Sequence, residues 1–291
     1  MKIAVISDIH GNYPALLRVL EDLEQWQPDH VIVAGDVVNR GPRSPECWQL
    51  IRQRQISAGW QVIRGNHEDY LLDCAQPDFP LSGPTYEIRQ FAYWTYQQLN
   101  GATAEFATLP DRVSLYAPDQ TELRVCHASM HHNRDGIYAE SPDEVLMQQI
   151  APPPAVFVTA HTHKPFVRQA GSSLVVNVGA VGAPFDQDPR ASYGRFTWHP
   201  QTGWQAEIAR VPYDRQQTEQ DYVATGFLEE GGPLTQLMLI ELRQARGLIF
   251  RWASQYEQAV LNEEITLAES VRRILMEEDV RPFLGPPGWV L

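Results

Sequence analysis

Five short segments carry side chains that bind metals or move protons. They are Asp8-Ile9-His10, Gly35-Asp36 with Arg40 close behind, Gly65-Asn66-His67-Glu68, Cys126-His127, and His161-Thr162-His163. Each alone has an ordinary structural reading. Asp-x-His at a strand end or Gly-Asp makes a polar turn, Asn-His-Glu opens a helix, and His-Thr-His sits on a surface. Together, Asp8, His10, Asp36, Asn66, His127, His161 and His163 offer more donors than one divalent ion needs. They come to about the seven or eight that two ions sharing a bridging carboxylate take. Carboxylate, amide and imidazole without thiolate suit Mn, Fe or Zn and disfavour a structural zinc site. Alternation along an extended segment would put His161 and His163 on one side, and likewise Asp8 and His10.

Something must deliver these donors to one place. Short β-rich runs at 2–7, 30–34 and 60–63 alternate with helical patterns at 13–26 and 44–57, and a longer helix is predicted over 86–99. The β-α-β-α-β order implies a parallel sheet with right-handed crossovers. Open α/β sheets present functional residues at the carboxyl ends of their strands, which is where the first three segments fall. Further strands are predicted at 112–116, 122–126, 155–159, 166–169, 173–177, 191–198 and 204–211, with few helices between them. They imply a second sheet, largely antiparallel or mixed. From Thr218 the pattern turns helical, with capping-box-like starts at Thr218/Asp221 and Thr266/Glu269. Leu234, Leu237, Met238, Ala245, Leu248, Ile249, Trp252 and Tyr256 fall on one helical face. This tail contains no His, Cys or Lys.

Bulk properties narrow the function. The chain has 291 residues, 43% of them apolar and 20% charged, enough for a full globular core. Its net charge of −13 argues against nucleic-acid polymers as partners. Cys47, Cys74 and Cys126 are odd in number and widely spaced, which excludes a disulfide framework and points to the cytoplasm. No apolar run reaches a membrane span, and the N-terminal run does not read as a signal peptide.

The set DIHGN, GDVVNRGP, GNHE, VCHAS and AHTH, spread over residues 1–210, resembles the calcineurin-like metallophosphoesterase superfamily. GDVVNRGP and GNHE are similar to its protein-phosphatase and diadenosine-tetraphosphatase branch. Segments 177–184, 188–193 and 211–214 resemble its small bacterial phosphodiesterase branch. The resemblance implies two packed β-sheets flanked by helices, an α/β/β/α sandwich, with the catalytic domain over 1–214 and a helical C-terminal extension over 215–291. It implies two divalent transition-metal ions, manganese first, with Fe, Zn, Ni or Co as alternatives. Asp8, His10 and His163 would bind one, Asn66, His127 and His161 the other, and Asp36 would bridge them. A metal-bridging hydroxide would attack phosphorus, Arg40 and Asn66 would contact the substrate, and His67 would protonate the leaving group.

The substrate implied is a small phosphate ester, monoester or diester, and a homo-oligomer stays open. Two other readings belong to the same fold: a Ser/Thr phosphoprotein phosphatase or dinucleoside polyphosphate hydrolase, and a metal-dead scaffold. Two positions depart from the pattern. Asn39 stands where the protein-phosphatase branch has the Asp that partners the GNHE histidine. That weakens the imidazolium and favours good leaving groups. Ala160 replaces a usual Gly, which is tolerable at negative φ. His131 and His132 either line the pocket or lie on a solvated loop. Arg134 either touches a second phosphate or lies on the surface, and His30 and His199 read as structural.

Overall fold

The computed structural model describes residues 1–285; residues 286–291 of the expected helical extension lie outside the described residues. Strand β1 (Lys2–Ile6) shows why two cores form. Its Ala4 and Ile6 face a cluster shared with helices, while Ile3 and Val5 face a second cluster between the sheets. A strand buried on both sides reads as the continuous apolar run seen in the sequence.

Around it lie α1 (Tyr13–Trp26), β2 (His30–Val33), α2 (Ser44–Ala58), β3 (Gln61–Val62), α3 (Asn66–Cys74) and α4 (Pro84–Gln98). Strands β1, β2 and β3 run parallel. Then come β4 (Arg112–Tyr116), β5 (Glu122–Cys126), α5 (Asp143–Gln149), β6 (Val156–Thr159), β7 (Phe166–Ala170), β8 (Ser173–Asn177), β9 (Ala191–His199) and β10 (Gly203–Val211). The second sheet has the order β4-β5-β6-β8-β7 and is mixed.

One expectation is corrected here. Strands β9 and β10 do not join the second sheet; they extend the first, in the order β10-β9-β1-β2-β3, with β9 antiparallel to β1. The two mixed sheets face each other across Ile3, Val5, Ile32, Val125, Val158, Val176 and Phe196. Helix α5 covers the outer face of the second sheet through Leu146, against Phe157 and Val175.

The C-terminal helices are α6 (Arg215–Ala224), α7 (Phe227–Glu230), α8 (Leu234–Gln244), α9 (Ile249–Trp252), α10 (Gln258–Leu261) and α11 (Leu267–Leu275). Their apolar side chains belong to the same cluster as α1, α2 and α4. Two sequence expectations change. Asp214, not Thr218, caps α6, accepting from Gln217 N–H at 2.9 Å. The single helical face from Leu234 to Tyr256 is broken, because α8 ends at Ala245 in the left-handed region (φ 51°) and a new helix starts at Ile249. Thr266 caps α11 as read, accepting from Glu269 N–H at 3.2 Å.

Candidate metal centre

The expected donors lie in loops at the carboxyl ends of β1, β2, β5 and β6 and, for Asn66, at the first residue of α3 just after β3, and the two sheets bring these segments to one edge. Backbone bonds sew the loops together. Asp8 N–H donates to Gly35 O (3.2 Å), His10 N–H to Asp36 O (3.0 Å) and Gly182 N–H to Asp8 O (2.9 Å). Asp8, His10, Asp36, Asn39, Arg40, His161 and His163 all have φ between 49° and 69°. Non-glycine residues in this region cost about 1–3 kcal/mol each and persist only where the surroundings over-determine them. This geometry corrects the strand-alternation rationale: Asp8/His10 and His161/His163 share a side through left-handed turns, not through pleating. Ala160 is absent from the positive-φ residues, so its methyl is accommodated.

Glu68 is the least expected structural element. Its buried carboxylate accepts from the backbone N–H groups of Asp36 (2.9 Å), Val37 (2.9 Å) and Gly65 (2.8 Å), clamping the β2 and β3 loops together. Burial and the Asp36 charge push its carboxyl up to about 7, against those hydrogen bonds. At Gly65 a side chain is excluded, because a Cβ would collide with the Asp36 carboxylate.

Two donor groups emerge. In the first, the Nε2 atoms of His10 and His163 face each other at 3.2 Å, and His163 Nε2 lies 3.2 Å from Asp8 Oδ1. In the second, His127 Nε2 lies 3.0 Å from Asn66 Oδ1 and 3.3 Å from Asp36 Oδ2, with His161 in reach. Asp36 Oδ2 also stands 3.7 Å from His10 Nε2, so this carboxylate lies between the groups. Asp8 Oδ1 and His10 Nδ1 are buried with no hydrogen-bond partner. Two ring nitrogens and an unsatisfied carboxylate oxygen converging in a buried site are what a cation would satisfy. The donor chemistry therefore fits divalent metals.

Outer contacts fix the rings. His127 Nδ1 bonds Ala34 O at 2.7 Å and His163 Nδ1 bonds Ala183 O at 2.6 Å, which turns each Nε2 inward. Burial raises the Asp36 carboxyl, but His127 above all, with the imidazoles of His67 and His10 alongside, outweighs it and holds the group well below the usual carboxylate range. His127 is pushed up to about 10 by Asp36 and Asp8 against its burial, whereas burial beside His127 pushes His161 down to about 4.

His67 packs edge-on to His10, with centroids 4.8 Å apart, and its backbone N–H donates to Asp36 Oδ1 at 2.9 Å. With His10 and Asp36 it forms a third set of donor atoms lying within 4.8 Å of one another. Arg40 borders the same cleft, pairing with Glu241 of α8 and lying 5.6 Å above the Phe185 ring. His131 and His132 are exposed; His131 bonds Asp135 at 2.9 Å. Arg134 rests on the face of Tyr70 at 5.0 Å, and that ring touches His67. His30 and His199 are exposed at strand ends, away from the cluster. Glu68 and Glu241 were not read from sequence as structural contacts of the site. Glu68 had a signal, the acidic third residue of a helix; Glu241 is one acid in an apolar helix and had none.

The chain belongs to the calcineurin-like phosphoesterase superfamily, whose domain description matches residues 1–201. It is a metallophosphoesterase, a hydrolase of phosphoric esters. It is 27% identical over 232 residues to an uncharacterized protein of Methanocaldococcus jannaschii, covering 73% of this chain and 88% of that one. It is 29% identical over 203 residues to phosphodiesterase YfcE of Escherichia coli K12, covering 67% and 86%. Among solved structures, a metallophosphoesterase from Sphaerobacter thermophilus aligns with a TM-score of 0.64 at 27% identity, over 84% of this chain and 99% of that one. No helix among the described residues is long and apolar enough to cross a membrane.

Proposed function

We propose that this chain is a dinuclear metal-dependent phosphoesterase acting on small phosphodiesters and phosphomonoesters. The observation that carries this reading is the convergence of seven donors from five loops, with Asp8 Oδ1 unsatisfied beside two facing imidazole nitrogens. Asp8, His10 and His163 would hold one cation, Asn66, His127 and His161 the other, and Asp36 would serve both. When bound, such cations supply Lewis acidity and bring the pKa of coordinated water into the neutral range. Manganese suits the mixed carboxylate and imidazole set.

The protein's own groups do the rest. Arg40 offers a planar fork to phosphate oxygens, and its Nε is buried without a protein partner. His67 presents its outer nitrogen to the leaving oxygen and donates there. Asn66 orients both a cation and the substrate. Residues 1–214 carry this chemistry, and the helices after them support it from the side of Arg40. The relative named as a phosphodiesterase favours diesters as substrates. Three free, buried thiols fit a reducing compartment such as the cytoplasm.

Metal analysis should be paired with a substrate panel: p-nitrophenyl phosphate, bis-p-nitrophenyl phosphate, cyclic nucleotides and dinucleoside polyphosphates. Metal-dependent hydrolysis of at least one, abolished by a chelator, is the expected result. A protein loaded with two ions that hydrolyses none of them overturns the reading.

A further inference from the structure

The C-terminal helices reach the site through one contact. Glu241 of α8 is 3% exposed and pairs with Arg40 Nη2. Its other oxygen, Oε1, accepts from Leu248 N–H at 2.6 Å and Ile249 N–H at 2.8 Å, which fixes the carboxylate at the start of α9. The end of α8 at the left-handed Ala245 turns those amides back toward Glu241. A buried carboxylate is costly unless paired and fully bonded, and here both oxygens are engaged.

Arg40 is held at other points too. Its backbone is left-handed at φ 66°, directly after Asn39 at φ 69°. Its N–H donates to Asn39 Oδ1 at 2.9 Å, and Tyr222 O–H of α6 donates to its carbonyl at 3.3 Å. The guanidinium lies over Phe185, which stacks on His163 at 4.3 Å, so the group fixed by Glu241 borders the candidate metal centre. His10, Asn12, Arg40 and Glu241 line one cleft. With Nη2 committed to Glu241, the buried Nε is left without a protein partner.

We propose that Glu241 is a positioning residue, orienting the Arg40 guanidinium so that its free donors meet the phosphate group of the substrate. The inference rests on the reading of Arg40 as the phosphate-binding arginine. It makes the helical extension part of substrate recognition, though it contributes no metal donor. A flexible arginine would lose several rotamers on each binding event; Glu241 removes that cost in advance.

The test is a double-mutant cycle in the metal-loaded full-length protein, with bis-p-nitrophenyl phosphate as substrate and inorganic phosphate as competitive inhibitor. Glu241→Gln keeps an oxygen for the Leu248 and Ile249 amides but turns an NH2 group toward Arg40. KM and the phosphate inhibition constant should rise about tenfold with kcat little changed, as expected for a lost charge-assisted hydrogen bond. Adding Glu241→Gln to Arg40→Ala should bring no further rise, because the first acts through the second. A Glu241→Gln effect that is absent, or that multiplies in full with Arg40→Ala, overturns the inference. An Arg40→Ala protein with wild-type KM and phosphate inhibition overturns the reading of Arg40 itself, and the inference with it. If Glu241→Gln does not fold, Arg40→Lys reads the contact from the other end. Lysine keeps the charge but not the fork, so phosphate inhibition should weaken, and a lysine that performs like arginine overturns the inference.

Discussion

The side-chain amide of Asn39 lies 3.0 Å from Nδ1 of His67, and its orientation is set from the other side. Asn39 Oδ1 accepts from Arg40 N–H at 2.9 Å, so the NH2 end faces the ring. Nδ1 of His67 is therefore the acceptor, and the ring proton sits on Nε2, directed away from Asn39. An imidazolium would set an N–H against an N–H at that contact. Burial pushes the His67 pKa well down in the same direction, against the pull of Asp36. Asn39 thus holds His67 as a neutral donor.

A neutral imidazole hydrogen-bonds to a departing oxygen but surrenders its proton poorly. The enzyme should strongly prefer leaving groups that need no acid. Across a series of aryl and alkyl esters, kcat/KM should fall steeply as leaving-group basicity rises. Asn39→Asp accepts from Nδ1–H, stabilises the imidazolium and should flatten that slope, improving alkyl esters relative to p-nitrophenyl esters by about a hundredfold, the low end for general acid catalysis. An unchanged slope would show that His67 does not act on the leaving group.

Glu68 gives a stability prediction. Its carboxylate is the acceptor for four backbone N–H groups from two loops. Glu68→Ala leaves them buried and unpaired, at about 1–3 kcal/mol for each such group. Urea unfolding should show a loss of about 3 kcal/mol or more, and metal content should fall because Asp36 is no longer held. A loss below about 0.5 kcal/mol would mean that water replaces the carboxylate without penalty.

Asp36 gives the prediction on metal number. Its Oδ2 lies 3.3 Å from His127 Nε2 and 3.7 Å from His10 Nε2. Elemental analysis should find about two transition-metal ions per chain in the wild type, as in two-metal hydrolases. Asp36→Asn should lower both occupancy and turnover. Chelation should also lower the melting temperature, since ligands that bind only the folded state stabilise it by about 4 kcal/mol at a thousandfold excess over Kd. A wild type that saturates at one ion, or works unchanged in excess chelator, contradicts this prediction.

Local pattern made much of this legible. Strand β1 and helix α1 were readable because burial on both faces, or on one helical stripe, leaves its mark within a few residues. Two kinds of feature were not readable. Strands β9 and β10 look like any hairpin, and which sheet a hairpin extends depends on contacts nearly 200 residues away, such as Ala4 with Arg195. Glu241 lies in an apolar helix, and its partner Arg40 is remote in sequence, so only the folded chain shows the pair. The donors themselves were visible as motifs; the left-handed turns that aim them were not.

Deleting the chain from Thr266 onward separates support from chemistry. Helix α11 buries Leu267, Val271, Ile274 and Leu275 against the core, and Ser270 accepts from Trp252 Nε1–H at 2.8 Å. At about 1.5–3 kcal/mol per buried side chain, its loss removes a large share of a domain's stability of about 5–15 kcal/mol. It also leaves a buried indole N–H unpaired. Yet every candidate metal donor lies before residue 164, and Glu241 with its partners Leu248 and Ile249 precedes the cut. The truncated protein should melt at a markedly lower temperature and fold in lower yield. Its soluble, folded fraction should still hold about two ions per chain, as a two-metal hydrolase does, and hydrolyse bis-p-nitrophenyl phosphate with near-normal KM. Thermal melting followed by circular dichroism, with metal analysis of the monodisperse fraction, decides the matter. Complete metal loss in a folded truncation would make α11 part of the site rather than its support.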